Sequence, residues 1–290
     1  MIFRSTDIET IPDETRWSPP APTYRLARGP RAADLAVDSC LGGSPNSGAE
    51  VLRSTLAGVE EVDAFPPSHA CRVVSISYVD VRFDPTSTPK YQYDKCFTEC
   101  LWDATGSQAR ADALERRLLA AFGEAMSVDG VHLVTWNGRT FDLPVIVMRS
   151  LLHKIACRWY YESRDVRYRY STEGHCDLMD FMSDYGASRF IKLGDFCHLV
   201  GLPGKTDMSG DKVSVLYAES LRDPAGSAGR QERTARYCLQ DSIQTALGWL
   251  RTRHLMGKVT AESHNAALDT FRASPAITGA IDVNWDLLMV

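Results

Sequence analysis

Thirteen consecutive residues, Cys71–Phe83 (CRVVSISYVDVRF), constrain this chain most. They alternate and are rich in β-branched side chains, a pattern that fits a pleated sheet and not a helix. A turn at Pro85–Pro89 and a second extended run over 91–100 (YQYDKCFTEC) predict a hairpin. The period then changes. Residues 107–126 carry apolar positions at helical spacing behind a polar first turn. VHLVTWN reads as a buried strand, and a helix follows from about Leu143 to Ile155, with Pro144 in its first turn. Residues 1–9 open the chain as a short strand made polar by Arg4, Ser5 and Thr6. Strands that alternate with helices after a hairpin predict an α/β domain, with a mixed central β-sheet flanked by α-helices on both faces.

The remaining segments fit around that sheet. Residues 10–68 are rich in Pro, Gly, Ser and Ala and read as an irregular insertion with short helices at 31–38 and 48–57. Residues 157–171 (CRWYYESRDVRYRYS) form a Tyr/Arg-rich connection. Helices are predicted at Leu178–Tyr185, Lys192–Leu199, 213–222, 231–255 and 259–272. A Gly-rich loop spans 201–211, and PAGSAGR (224–230) reads as a flexible break. Residues 1–255 are expected to form one domain, with the helix and tail of 256–290 packed on it.

Bulk properties exclude some classes. With 290 residues, 44% hydrophobic and 24% charged, the chain can bury a normal core. No stretch approaches the ~18–20 apolar residues of a membrane-spanning helix, and the N-terminus has no apolar signal region. The cytoplasm is the expected location. The eight cysteines form no CxxC pair and mostly sit in apolar runs, as expected of buried free thiols. The net charge of −5 argues against a general nucleic-acid coat protein, which is usually basic.

Four acids stand out by position. Asp7 and Glu9, two apart on a strand, leave the same face. Asp142 follows the strand HLVTWN and opens a helix. Asp241 lies on the long helix, one turn after Tyr237 and on the same face. Converging carboxylates repel one another, and a hard divalent cation with oxygen ligands removes that cost. Each acid also has an ordinary reading: Asp7 and Glu9 as a strand end, Asp142 as a helix N-cap, Asp241 as a surface acid.

At DIETIPD (Asp7–Asp13), TWNGRTFDLP (Thr135–Pro144) and YCLQD (Tyr237–Asp241), the chain resembles the DEDDy 3′–5′ exonucleases of the DnaQ-like, RNase H-like superfamily. It is most similar to the bacterial family related to the exonuclease domain of family B DNA polymerases. The motifs D-x-E, N-x₃-F-D and Y-x₃-D occur in order. RVVSIS, HCDLMD, LGDFCHLVGLPGK and MSGDKV extend the resemblance over about residues 1–255. It implies two Mg²⁺ or Mn²⁺ ions held by Asp7, Glu9, Asp142 and Asp241, with Tyr237 aligned with the attacking water. It also implies Thr10, Asn137 and Phe141 against the 3′-terminal nucleotide. The expected reaction is release of nucleoside monophosphates from the 3′ end of single-stranded DNA. An exoribonuclease, an oligonucleotide-specific nuclease and a catalytically silent nucleic-acid-binding module are the alternatives. A role in DNA repair would require a partner, since no polymerase domain is present in the sequence.

Secondary features stay open at this level. Asp177 supports the site or caps the helix LMDFMSDY. His175 reads as a satisfied polar residue. The run from Arg158 to Tyr170 interleaves basic and aromatic side chains, which suits nucleic acid or an exposed ribbon equally. GLPGK lacks the spacing of a phosphate-binding P-loop. The tail WDLLMV packs back on the domain or docks a protein partner.

Overall fold

The computed structural model describes residues 1–18, 23–26, 59–62, 65–204, 208 and 210–290. The chain divides into two compact units, Met1–Asp13 with Ser68–Val290, and Glu14–Pro67. Within the smaller unit, β2 (Thr23–Leu26) and β3 (Val59–Val62) pair antiparallel, Thr23 opposite Val62 and Leu26 opposite Val59. The helices expected at 31–38 and 48–57 lie outside the described residues.

The larger unit is built on a five-stranded sheet of β1 (Ile2–Pro12), β4 (Cys71–Phe83), β5 (Tyr91–Cys100), β6 (Val131–Thr135) and β7 (His175–Asp177). Their order is β5-β4-β1-β6-β7. The β1–β4 and β4–β5 pairs are antiparallel, and β1–β6 and β6–β7 are parallel. A hairpin annexed to a parallel βαβ series, with helices on both faces, is an RNase H-like α/β fold. Strand β1 runs through Pro12, three residues beyond the end expected from sequence. A bulge between Glu9 and Thr10 lets it continue along β4.

One face of the sheet carries α1 (Gln108–Met126) and α2 (Asp142–Leu152). Their stripes, including Leu118, Phe122, Leu143 and Ile146, close on Ile8, Ile76 and Leu133. The other face carries α8 (Ser227–Leu255), which packs Trp249 and Leu250 against Phe3 and Val79. Between them in sequence come α3 (Arg158–Tyr161), α4 (Arg164–Arg167), α5 (Leu178–Met182), α6 (Leu193–Val200) and α7 (Gly210–Arg222). The chain ends in α9 (Ala261–Arg272), α10 (Pro275–Thr278) and α11 (Trp285–Leu288).

Three expectations need correction. The connection 157–171 contains two short helices, α3 and α4, rather than a ribbon. Helix α5 stops at Met182 because Asp184 and Tyr185 take left-handed backbone, with φ of 51° and 55°. The break at 224–230 is ordered: a 3₁₀ turn at Pro224–Gly226 leads straight into α8. Ser227 accepts the Trp102 indole N–H at 3.0 Å, and Arg230 bonds Asp223 at 3.0 Å. These contacts hold the glycine-rich start of the helix.

The polar start of β1 is compensated where it lies. Arg4 is buried, grips Asp80 through two bonds of 2.7 Å and sits 4.2 Å from the Tyr78 ring centroid. At the C-terminus, Phe271, Ile277, Ile281, Val283 and Leu288 join the α8 core. The Val290 amide donates to Asn265 Oδ1 at 2.9 Å. This leaves the partner-docking reading of the tail without support. Among the described residues, no helix is long and apolar enough to cross a membrane.

Candidate active site

Asp7 and Glu9 project from β1 on the face that α8 covers, opposite Ser77 and Ser75 of β4. Small hydroxyl side chains bring the helix down onto this part of the sheet. Ser5 Oγ donates to the Ser242 carbonyl at 2.8 Å, and Ser77 Oγ donates to the Cys238 carbonyl at 2.7 Å. Ser77 and Ser242 also share a hydroxyl–hydroxyl bond of 2.7 Å. The Cys238 thiol donates to the Asp7 carbonyl at 3.4 Å. Ligand-capable atoms of Asp7, Glu9 and Cys238 all lie within 4.8 Å of one another. Tyr237 and Asp241 flank Cys238 on α8, and both are buried. The Tyr237 ring is wedged among Ile11, Trp102, Val213 and Leu216, so α7 forms one wall.

Asp142 arrives from the other side. After β6, Asn137 adopts φ +65°, and Gly138 follows where a Cβ would fall 2.5 Å from Thr135. Only glycine fits that approach. Phe141 occupies the N-cap position, so the N-cap reading of Asp142 does not hold. Asp142 Oδ1 instead accepts the Ile8 N–H at 3.2 Å, between Asp7 and Glu9 in the sequence. That bond is available because β6 pairs with β1 only over Ile2–Ser5.

Asp177 holds the loop that delivers Asp142. Its carboxylate accepts the amides of Asn137 (2.9 Å) and Arg139 (2.8 Å) as well as that of Asp180 (3.4 Å), which caps α5. Both sequence readings of Asp177, support and cap, are therefore fulfilled by one side chain. Arg139 donates to the carbonyls of Val166, Tyr168 and His175, tying this loop to the 166–168 segment. Cys238 and the serines under α8 are the neighbours that sequence motifs did not reveal. Their signal was the small-residue alternation Ser75-x-Ser77.

The electrostatics are those of converging carboxylates. Burial, with help from Asp177 and Asp241, pushes the Asp142 carboxyl up to about 7, against the opposing bond from Ile8. Burial raises the Tyr237 phenol well above its usual range, and Asp241, Glu9 and Asp7 push it further. Tyr237 also hydrogen-bonds Asp241. The phenol therefore stays protonated. The Cys238 thiol is likewise driven up by burial and by Asp7 and Glu9. The thiol gives its hydrogen to the Asp7 carbonyl, and the side-chain oxygens of Asp7 and Glu9 are the hard donors beside it. Oxygen donors of this kind suit a divalent cation.

The remaining predicted residues lie around this centre. Phe141 packs against the α1–α2 core, and Asn137 stands at the mouth of the loop. Thr10 follows the bulge and hydrogen-bonds Cys71. His175 is buried against the Thr135 hydroxyl at 2.8 Å and lies in the sheet, not among the acids. A second cluster, Asp112, Glu115 and His153, is equally tight. Its charges are already met: Arg149 and His153 bind Glu115, and Arg72 pairs with Asp112 at 2.9 Å. It braces α1 against α2.

No curated protein matches this chain. Among solved structures, it is similar to the family B DNA polymerase of the hyperthermophilic archaeon Pyrobaculum calidifontis, at 13% identity and a TM-score of 0.44. That likeness covers 93% of this chain and 29% of the polymerase. A complex of ExoI with SSB-Ct (14% identity, TM-score 0.34) and apo Exonuclease I (15%, 0.33) each match 67% of this chain. They are spanned over 43% and 44% of their own lengths. The chain thus spans less than half of each of these proteins. Residues 63–278 match the family described as "Predicted 3'-5' exonuclease related to the exonuclease domain of PolB". That match covers well over half of the sequence, and the chain belongs to this family of predicted 3′–5′ exonucleases.

Proposed function

We propose that the protein is an active exonuclease of the tyrosine subclass, removing nucleoside monophosphates from the 3′ end of single-stranded DNA. The observation that carries this reading is the approach of α8 to β1: Asp7 and Glu9 lie within 4.8 Å of Cys238, and Tyr237, the neighbour of Cys238 on the helix, hydrogen-bonds Asp241 and feels the charges of Glu9 and Asp7. Asp142 completes the set through its bond to Ile8.

Asp7, Glu9, Asp142 and Asp241 would hold two Mg²⁺ or Mn²⁺ ions. When bound, such ions would supply the positive charge that offsets the carboxylates and the scissile phosphate, and the Lewis acidity that makes a water nucleophilic. The protein's own residues do the rest. Tyr237, kept protonated by its surroundings, can orient a water through its hydroxyl but is not a base. Asp177 fixes the loop that sets Asp142, while Asn137, Phe141 and Thr10 would receive the terminal nucleotide. Glu9, Asp142 and Asp241 are buried and Asp7 is half-buried, so their interactions act at a lower dielectric than in water.

The test is a 5′-labelled single-stranded DNA and its RNA counterpart, incubated with Mn²⁺, Mg²⁺ or EDTA beside Asp142→Ala. A ladder shortening from the 3′ end is expected. It should vanish in EDTA and fall about 10³-fold in the variant, the order of several kcal/mol of lost charge stabilisation. Full-length label in every lane with binding retained would make the protein a non-catalytic nucleic-acid-binding module. A ladder confined to RNA would move the substrate to ribonucleic acid.

A further inference from the structure

The Tyr/Arg-rich connection leaves its rings outside the core. Tyr161, Tyr168 and Tyr170 are 55%, 49% and 56% exposed. They are ordered nonetheless. Tyr168 packs edge-on against Tyr170 at 5.7 Å, and Tyr170 against Tyr185 at 4.8 Å. The Arg167 guanidinium stands 5.5 Å from the Tyr161 ring centroid. The neighbouring Trp159 and Tyr160 pack onto the α1–α2 core and anchor the segment.

Arg167, which contacts Tyr161, and Arg169, which lies between Tyr168 and Tyr170 in the sequence, line a cavity of about 540 Å³ that these rings flank without lining, within the ~300–1,000 Å³ range of ligand pockets. Arg139, Tyr160, Arg167, Arg169 and Phe190 form one part of its wall. Asn137 and Thr140, from the loop that delivers Asp142, form another. The charges on it are the three arginines against Asp177 and Asp180, so the cavity is positive although the whole chain is negative. The arginines are built in. Arg139 is fixed by the carbonyls of Val166, Arg167, Tyr168 and His175, and Arg169 by two bonds to Asp180 of 2.7 and 2.6 Å. Phe190, 52% exposed, adds a further ring at the rim.

We propose that this groove carries the single strand immediately upstream of the 3′-terminal nucleotide, with bases stacked on the exposed rings and a phosphate on Arg167. The placement upstream of the terminus rests on the exonuclease reading. A duplex would need cations for its backbone but no exposed rings, because its bases are already stacked on one another. Ordered rings interleaved with guanidiniums match an unpaired strand.

The test uses the full chain, fluorescein-labelled oligothymidylates of 2 and 12 nucleotides, and anisotropy in EDTA. Arg167→Glu and Tyr170→Ala are each expected to weaken 12-mer binding about tenfold, with a smaller loss for the 2-mer. For Arg167→Glu, the slope of log K against log salt should fall by about 0.7 for each phosphate that the variant no longer neutralises. Arg116→Glu, the same charge change on an exposed position of α1, should bind like wild type. Twelve-mer affinity unchanged in both groove variants would overturn the proposal. So would an equal loss in Arg116→Glu, or a 12-base-pair duplex that binds as tightly and suffers equally from Tyr170→Ala. The Mn²⁺-dependent ladder is read separately. Length-dependent binding without a ladder would support the groove and sink the exonuclease reading, and a ladder with unaffected groove variants would do the reverse.

Discussion

At the scale of single residues, Tyr237 offers the sharpest test of the site. Its ring fills a pocket among Ile11, Val213 and Leu216, while its hydroxyl faces the acids. Tyr237→Phe keeps the ring and removes the hydroxyl. The expected result is a loss of about 10²–10⁴-fold in kcat with an unchanged melting temperature. A variant as active as wild type would remove Tyr237 from the chemistry. Histidine burial sets a second expectation. Burial holds the pKa of His175 well below normal and lowers that of His264. For a depressed histidine, stability is fully present above the unfolded value of about 6.5 and is lost as pH falls below it, by up to about 1.4 kcal/mol per pH unit for each group. Asp142 and Asp177, both raised, act in the opposite sense. The measurement is therefore a difference: the acid-side fall in melting temperature should be shallower in His175→Gln than in wild type. Equal slopes would contradict it. The acids, Tyr237 and Asp177 were all legible as residues in the sequence. Their partners were not, because a hydrogen bond from Ile8 to Asp142 spans 134 positions and leaves no local pattern.

At the scale of elements, the site depends on how closely α8 sits on β1 and β4. Ser77 lies opposite Asp7 and bonds both the Cys238 carbonyl and Ser242. Ser77→Val removes these bonds and adds bulk beneath the helix, at a cost of about 1–3 kcal/mol. It should also lift Tyr237 and Asp241 away from Asp7 and Glu9. A lower melting temperature should thus accompany a higher Mn²⁺ midpoint for activity. An unchanged midpoint would show that the helix does not set the metal distance. Strands β4 and β5 and helix α1 were legible because their periodicities are strong and their ends carry turn chemistry, as with the Ser107 N-cap. The start of α8 was not. Its glycines read as a break, and bonds from Trp102 and within the Asp223–Arg230 turn hold it in place.

At the scale of the whole molecule, the 14–67 unit leaves and returns at one point. The Asp13 amide donates to the Ala70 carbonyl at 2.8 Å. Asp13 is also bound by Arg72 at 3.2 Å and by Arg149 at 2.9 Å. Chain ends already clasped in this way cost little to join by a short loop. Replacing residues 14–67 with a short Gly/Ser linker should leave the five-stranded unit folded, with a cooperative melt near the wild-type temperature. Loss of that transition would show that the smaller unit is required for folding. The mixed sheet was legible from the order of strands and helices. The compact pairing of β2 with β3 was hidden by a composition that reads as irregular.

The bond between the Ile8 amide and Asp142 has one more consequence. Beyond Ser5, the edge of β1 facing β6 is no longer covered by a ladder, and this proton is held by a carboxylate that is itself a candidate ligand. Any change in the electron density on Asp142 passes directly to that proton. The Ile8 amide resonance should therefore follow the charge on that carboxylate, readable by NMR of ¹⁵N-labelled protein without turnover.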